Sequence, residues 1–144
     1  MKKILLAITA LCAVFVMDAK VVLPNVIGDN MVLQRDSEVK LWGTAEPGKK
    51  VTVSTSWSKE KTVVKAGDDG KWTVSVKTAG AGGPFEITFN DGDILTLKNI
   101  LLGEVWFCSG QSNMEMPIKG FNNQSVEGVA DVIIGARPET PVRM

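Results

Sequence analysis

Hydrophobic and polar residues alternate with a period of two along most of residues 20–102, in short runs separated by turn residues. The clearest run is KWTVSVK (71–77), which would place Trp72, Val74 and Val76 on one face and the lysines and hydroxyls on the other. The other runs are EVKLWGT (38–44), VTVSTSW (51–57), KTVVK (61–65), PFEITF (84–89) and ILTLKNILL (94–102). Such spacing, without any helical period, predicts a mainly β domain over 20–102, an antiparallel β-sandwich of immunoglobulin-like or jelly-roll-like type.

Turn residues support this division into strands. Pro47 and Gly48 follow the first run, and Asp69-Gly70 separates KTVVK from KWTVSVK. Glycine accepts the positive φ that a tight hairpin turn requires, so Asp69-Gly70 predicts a β-hairpin.

The pattern changes at Gly103, where VWFC (105–108) is continuously apolar. A strand buried on both faces of a parallel sheet has this composition, and Cys108 then fits a small buried hydrophobe better than a catalytic thiol. The following SGQSN (109–113) predicts a turn into a helix at the sheet edge where α/β proteins bind ligands. Residues 103–144 are therefore predicted to be the first strand and turn of an incomplete α/β domain. In its remainder, 126–136 suits a helix or an amphipathic loop, and PVRM (141–144) resembles the start of a strand.

Ser112 has two interpretations. The order Ser112-Asn113-Met114-Glu115 fits a capping box. In this motif the serine hydroxyl accepts a hydrogen bond from a backbone N–H, and the glutamate side chain reaches back to the backbone N–H of the serine. Pro117 limits any helix here to about one turn, which reduces the value of a cap. Small and amide-bearing turn residues also let backbone N–H groups converge on an anion, as an oxyanion site requires.

Residues 1–19 have the composition of a cleavable secretory signal. Lys2 and Lys3 precede the apolar run from Ile4 to Val16, and Ala19 is a suitable last residue. The run is too short for a bilayer core, which needs roughly 20 residues, so we expect a secreted or periplasmic protein without stable membrane insertion. A lipid anchor on Cys12 is the alternative, disfavoured by bulky Leu11.

Charge and composition exclude several classes of partner. Sixteen basic and sixteen acidic residues give no net charge. The sequence has no cluster of basic residues of the kind that binds nucleic acid or an anionic membrane. The chain has no histidine, so a zinc site of the usual kind is not expected. Only Cys108 would remain after signal removal, which excludes an intrachain disulfide.

Three tryptophans in the β region raise the possibility of a sugar-stacking platform. Large aromatics at strand positions more often fill a core, which is the favoured interpretation for Trp42 and Trp72. Trp57, between Ser56 and Ser58 at a strand end, is the best candidate for exposure.

The motif GEVWFCSGQSNMEMP (103–117) resembles the first conserved block of the SGNH hydrolases, specifically the sialate O-acetylesterase branch. Upstream, VVLPNVIGDNMVLQRDSEVKLWGTAEPG (21–48) resembles the amino-terminal β-domain of the same branch. This resemblance implies that Ser112 is the nucleophile and that its backbone N–H is an oxyanion donor. Gln111 and Asn113 would act as positioning amides, and no metal or organic cofactor is implied.

The implied reaction is acyl transfer from an O-acetylated sugar through an acetyl-enzyme, with acetylated xylan as the rival to O-acetyl sialic acid. A serine hydroxyl needs a base, and in the family a downstream histidine supplies it. Lys119 is a poor substitute because Pro117 and a loop intervene, and Glu104 and Glu115 suit solvated or capping roles. We therefore expect an inactive amino-terminal fragment. A carbohydrate-binding or purely structural role for the β-domain is the alternative.

Overall fold

The computed structural model describes residues 20–137, 142 and 143, so the signal predicted for residues 1–19 lies outside the described residues. The described chain is mainly β, as predicted, and its helices all follow the last strand. Its strands are β1 (Val32–Gln34), β2 (Glu38–Thr44), β3 (Lys50–Thr55), β4 (Lys61–Lys65), β5 (Lys71–Lys77), β6 (Gly82–Asn90) and β7 (Ile94–Gly103). The helices are α1 (Ser112–Glu115) and α2 (Val129–Gly135).

The strands form a five-stranded sheet in the order β1-β7-β6-β3-β4 and a two-stranded sheet of β2 and β5. All pairings are antiparallel except that of β1 with β7, which is parallel and aligns Gln34 with Gly103. The antiparallel arrangement predicted for the domain therefore holds for every strand pair except this edge pair. Strand β1 spans only three residues, which is too short for a period of two to reveal it.

Both sheets contribute their apolar faces to one core. The alternation predicted for KWTVSVK is confirmed, since Trp72, Val74 and Val76 are buried and their neighbours in β5 are exposed. Trp72 packs on Phe89 of the other sheet, with ring centroids 5.6 Å apart. The principal core residues are Leu41, Trp72, Val74 and Val76 from the small sheet and Val51, Val53, Ile87, Phe89, Leu97 and Ile100 from the large one. The type of sandwich stays a prediction.

The turn at Asp69-Gly70 forms, but the predicted hairpin does not. Gly70 has a φ of 75°, and the Lys71 N–H donates to the Asp69 carboxylate at 3.0 Å. The two flanking strands pair elsewhere, β4 with β3 and β5 with β2. The turn therefore carries the chain from one sheet to the other, because packing rather than turn chemistry selects the partner strands.

The predicted buried strand at Val105–Cys108 is wrong. Strand β7 ends at Gly103, and residues 104–110 have no regular secondary structure and are exposed. A strand in a parallel sheet needs hydrogen-bonded neighbours and covering layers, and no strand of the described ranges pairs with this segment.

The last part of the chain is largely exposed. Of the alternatives for residues 126–136, the helix is present as α2, and none of its residues is buried. Val142 and Arg143 are not in a strand, contrary to the expectation for PVRM, whose other two residues lie outside the described part. Among the helices that the structure describes, none has the length and apolarity to cross a membrane.

Candidate active site

The turn that carries Ser112 is built from a glycine and a very short helix. Gly110 has a φ of 123°, a conformation that side chains of L-residues rarely adopt. The Glu115 N–H donates to the carbonyl of Gln111 at 3.1 Å, and the Met116 N–H donates to that of Ser112 at 3.0 Å. Met116 is extended ahead of Pro117, so the helix ends after one turn, as predicted.

Ser112 is the first residue of α1 and is exposed. The helix cap is Gln111, which has helical φ and ψ and makes no side-chain capping hydrogen bond. The capping-box interpretation of Ser112 is therefore wrong. The backbone N–H groups of the first four helical residues lack intrahelical partners, so the Ser112 N–H is available to an acceptor.

The predicted positioning amides are only partly described. Gln111 is exposed beside Ser112. Asn113 lies in α1, but its side chain lies outside what the structure describes. The structure therefore gives no contact that assigns either amide a role.

An exposed apolar stretch precedes the serine turn. Trp106 is 82% exposed and Phe107 is 93% exposed. Cys108 is a free, exposed thiol, which corrects the expectation of a buried small hydrophobe. The physical reason is the missing strand, since without sheet neighbours nothing in the described part of the chain covers this stretch.

The candidate bases near Ser112 show no contact with it within the described residues. Lys119 is exposed and lines a surface depression of about 560 Å³, whose walls are Pro117 and residues 119–124 and do not include Ser112. Glu115 is exposed and makes no side-chain hydrogen bond in this part of the chain. The residues that the structure describes contain no group of three potential metal ligands.

Glu104 is exposed, as expected for a solvated carboxylate, but it also holds two side-chain hydrogen bonds. Its oxygens accept hydrogen bonds from Gln34 Nε2 at 2.9 Å and from Arg35 Nε at 2.7 Å. These two hydrogen bonds, the one from Gln34 first, lower the pKa of Glu104 below its usual range. Glu104 and Asp36 in turn raise the pKa of Arg35. Sequence reasoning missed Gln34 and Arg35, although both lie in the MVLQR motif that carried the resemblance.

Two of the three tryptophans, Trp42 and Trp57, differ from their predicted environments. Trp72 is buried, as expected, and its indole N–H finds no acceptor among the described residues. Trp57 is half-buried, since its indole N–H donates to the Lys77 carbonyl at 2.9 Å and its ring meets Phe85 edge-on. Trp42 is instead the exposed one, at 44%. Trp42 occupies the outer face of β2, whereas Leu41 beside it turns into the core.

Comparisons with known proteins extend these observations. No family model matches the chain. The chain is 36% identical over 112 residues to "Sialate O-acetylesterase" of Homo sapiens and to that of Pongo abelii, and 34% identical over 111 residues to that of Mus musculus. Each match covers 70% of this chain but only 20–21% of the relative, so the chain spans about a fifth of the length of these relatives.

A solved structure described as a novel carbohydrate acetylesterase from Xanthomonas citri is also similar. Its TM-score is 0.62 at 36% identity, and the match covers 69% of this chain and 23% of that one. The β fold and the sequence place this chain among relatives of carbohydrate acetylesterases. Over the matched residues its sequence is similar to sialate O-acetylesterases.

Proposed function

We propose that this chain carries the nucleophile of a serine esterase that removes O-acetyl groups from sialic acid or related sugars. The observation that supports the proposal most directly is the GQSNM turn, which presents Ser112 exposed at the first residue of a short helix. The similarity to sialate O-acetylesterases at 34–36% identity supports the substrate class. Acetylated plant polysaccharide such as xylan is the alternative substrate.

The proposed reaction is nucleophilic acyl transfer. The Ser112 oxygen attacks the acetyl carbonyl, and its proton passes to a base. The resulting oxyanion accepts a hydrogen bond from the Ser112 N–H. The sugar oxygen then leaves with a proton, and water hydrolyses the acetyl-enzyme to acetate. Gln111 and Asn113 are proposed to position the substrate and the turn.

The proposal further assigns the base and the remaining oxyanion donors to residues outside these 144. The chain contains no histidine, and a serine hydroxyl without an adjacent base is a weak nucleophile. The family relatives are about five times longer than the matched segment, which supports a contribution from further sequence. The 144 residues alone are therefore proposed to be inactive, and residues 1–19 to direct the protein to the periplasm or outside the cell.

An acetate-release assay on a 9-O-acetylated sialoside tests this proposal. We expect no Ser112-dependent release from the 144-residue chain. A chain extended by the contiguous downstream reading frame should release acetate, and Ser112→Ala should lower its kcat by at least about a thousandfold. Ser109→Ala, an exposed serine in the same turn, is the matched control and should retain activity. Equal activity of the Ser112→Ala variant would overturn the assignment.

A second function, glycan binding by the β-domain, is favoured by Trp42. On the outer face of the small sheet, Trp42 lies opposite Thr73 and between Lys40 and Thr44. A depression of about 350 Å³ adjoins it, lined mainly by apolar surface from Val22–Pro24, Trp42–Thr44 and Lys71–Thr73. A flat indole flanked by hydroxyl and ammonium groups suits stacking on a sugar ring with hydrogen bonds at its edge.

Titration of the 144-residue chain with sialyllactose and with lactose, followed by NMR, tests this second function. Binding that survives Ser112→Ala and is lost in Trp42→Ala would support it. Trp106→Ala, which removes another exposed indole, is the control for non-specific stacking. Absence of binding to both sugars would support a purely structural role for the β-domain.

A further inference from the structure

The chain that leaves β7 toward Ser112 is held by Gln34, the last residue of β1, and by Arg35, which follows it. The parallel pairing of β1 with β7 places Gln34 opposite Gly103, and the Arg35 N–H donates to the Gly103 carbonyl at 2.9 Å. The next two residues along the chain, Glu104 and Val105, are then contacted by side chains of Gln34 and Arg35. The point where the regular sheet ends is therefore tied to β1 by both backbone and side chains.

Gln34 uses both ends of its amide in this contact. Its Nε2 donates to Glu104 Oε2 at 2.9 Å, and its Oε1 accepts the Val105 N–H at 2.9 Å. Rotating the amide by half a turn would set the NH₂ group against a donor and the oxygen against a carboxylate, so only one orientation satisfies both partners. The two bonds thus fix the direction in which the chain leaves Gly103.

Arg35 completes the arrangement. Its Nε donates to Glu104 Oε1 at 2.7 Å, so each carboxylate oxygen of Glu104 holds one hydrogen bond. Its Nη1 donates to Asp36 Oδ2 at 2.8 Å, which restrains the guanidinium from its other side. An isolated exposed ion pair contributes little to stability, and here both side chains are about half exposed. The pair instead fixes the orientation of the Glu104 carboxylate, because Arg35 and Gln34 each bond one of its oxygens.

The Val105 amide is the last group so restrained before the serine turn. Residues 106–110 are exposed, and none of their backbone groups hydrogen-bonds the β-domain within the described residues. The orientation in which the Ser112 segment leaves the β-domain is therefore set at Gln34, Arg35 and Glu104.

We propose that Gln34, Arg35 and Glu104 are positioning residues for Ser112, which act by holding the chain between β7 and the GQSNM turn in one direction. The catalytic consequence rests on the proposed esterase function, whereas the restraint itself does not. A misplacement of about 1 Å at a reacting group can lower a rate by about a hundredfold. A remote restraint that holds Ser112 in place can therefore affect kcat.

Backbone ¹⁵N relaxation of the 144-residue chain tests the restraint without any hydrolysis. In the unmodified chain, we expect Val105 to have an order parameter near that of rigid backbone, about 0.85. In Gln34→Ala and in Glu104→Ala it should fall below about 0.6, while Leu101, bonded to the Met31 carbonyl, stays unchanged. Glu46→Ala, which removes a surface pair with Lys49, is the matched control and should leave Val105 unchanged. An unchanged Val105 in Gln34→Ala would overturn the inference.

The kinetic test uses the chain extended by the contiguous downstream reading frame, in which acetate release is expected to depend on Ser112. There, Gln34→Ala is expected to lower kcat by about ten- to a hundredfold with little change in KM, because orientation rather than binding is affected. Arg35→Lys retains the charge but not the planar group. Its kcat should therefore lie between those of the unmodified extended chain and Gln34→Ala. An unchanged kcat in Gln34→Ala would overturn the positioning role. Failure of the esterase proposal would appear instead as activity that survives Ser112→Ala.

Discussion

Trp72 and Phe89 pack their rings at a centroid distance of 5.6 Å and an angle of 45°, and they come from different sheets. This contact joins the two-stranded sheet of β2 and β5 to the five-stranded one. Phe89 is fully buried and Trp72 nearly so. The pair therefore lies at the centre of the core that fixes how the two sheets meet.

Truncating this contact should destabilise the whole β-domain. We expect Phe89→Ala to lower the free energy of unfolding by about 3–5 kcal/mol, through lost burial and the cavity left beside Trp72. Urea denaturation followed by circular dichroism measures it. Val63→Ala, at an exposed position of β4, is the control and should change stability by no more than about 0.5 kcal/mol. Equal effects of the two substitutions would contradict the assigned core.

The absence of a side chain at Gly43 allows a close approach of two segments. A Cβ there would lie 2.8 Å from Trp72 Cζ2 and would overlap the Val22 carbonyl oxygen. Val22 and Thr44 exchange two backbone hydrogen bonds of 2.9 Å at this place. Gly43→Ala should therefore lower the free energy of unfolding by about 1–3 kcal/mol, measured by urea denaturation.

Gly28→Ala is the matched control, since a Cβ at Gly28 has no neighbour within 4 Å. Its effect should stay within about 0.5 kcal/mol. A neutral Gly43→Ala would show that the Val22 segment does not pack against β2 as described.

The hydrogen bonds to Glu104 should make part of the stability acid-sensitive. Because they lower the folded pKa below the usual value of 4.5, the contribution is complete above that value and is lost as the pH falls through the folded pKa. We expect the stability difference between the unmodified chain and Glu104→Gln to shrink over this interval. Urea denaturation from neutral pH to well below 4.5 measures it.

Asp69 also has a lowered pKa, chiefly because the Lys71 backbone N–H bonds it, and it adds acid sensitivity of the same sign. Asp69 is present in both chains, so its effect cancels in the difference. A stability difference that does not change with pH would contradict the role assigned to Glu104.

The exposure of Cys108 has a direct chemical test. We expect Ellman's reagent to modify Cys108 in the native chain at nearly the rate found in urea, because no described residue covers the thiol. Cys12→Ser removes the other thiol of the chain, and Cys108→Ala identifies the signal. Modification that requires unfolding would restore the buried strand predicted from the sequence.

Local pattern predicted most of the β-domain because alternation reports directly on which face of a strand is buried. The faces of β5 and the turn at Gly70 are as the sequence predicted. The pairing across that turn was predicted wrongly, since a turn fixes only its own backbone. Trp42 and Trp57 were also misplaced, because their exposure depends on what other strands bring near them.

The candidate site divides in the same way. The sequence by itself determined the strand pattern, the family motif, the serine at position 112 and the lack of any histidine. These follow from residue identity and spacing along the chain. Only the tertiary structure decided that β1 lies parallel to β7 and that Gln34 and Arg35 hold Glu104 and Val105. Those contacts join residues some 70 positions apart, and no local propensity encodes which distant polar groups will meet when two strands pair.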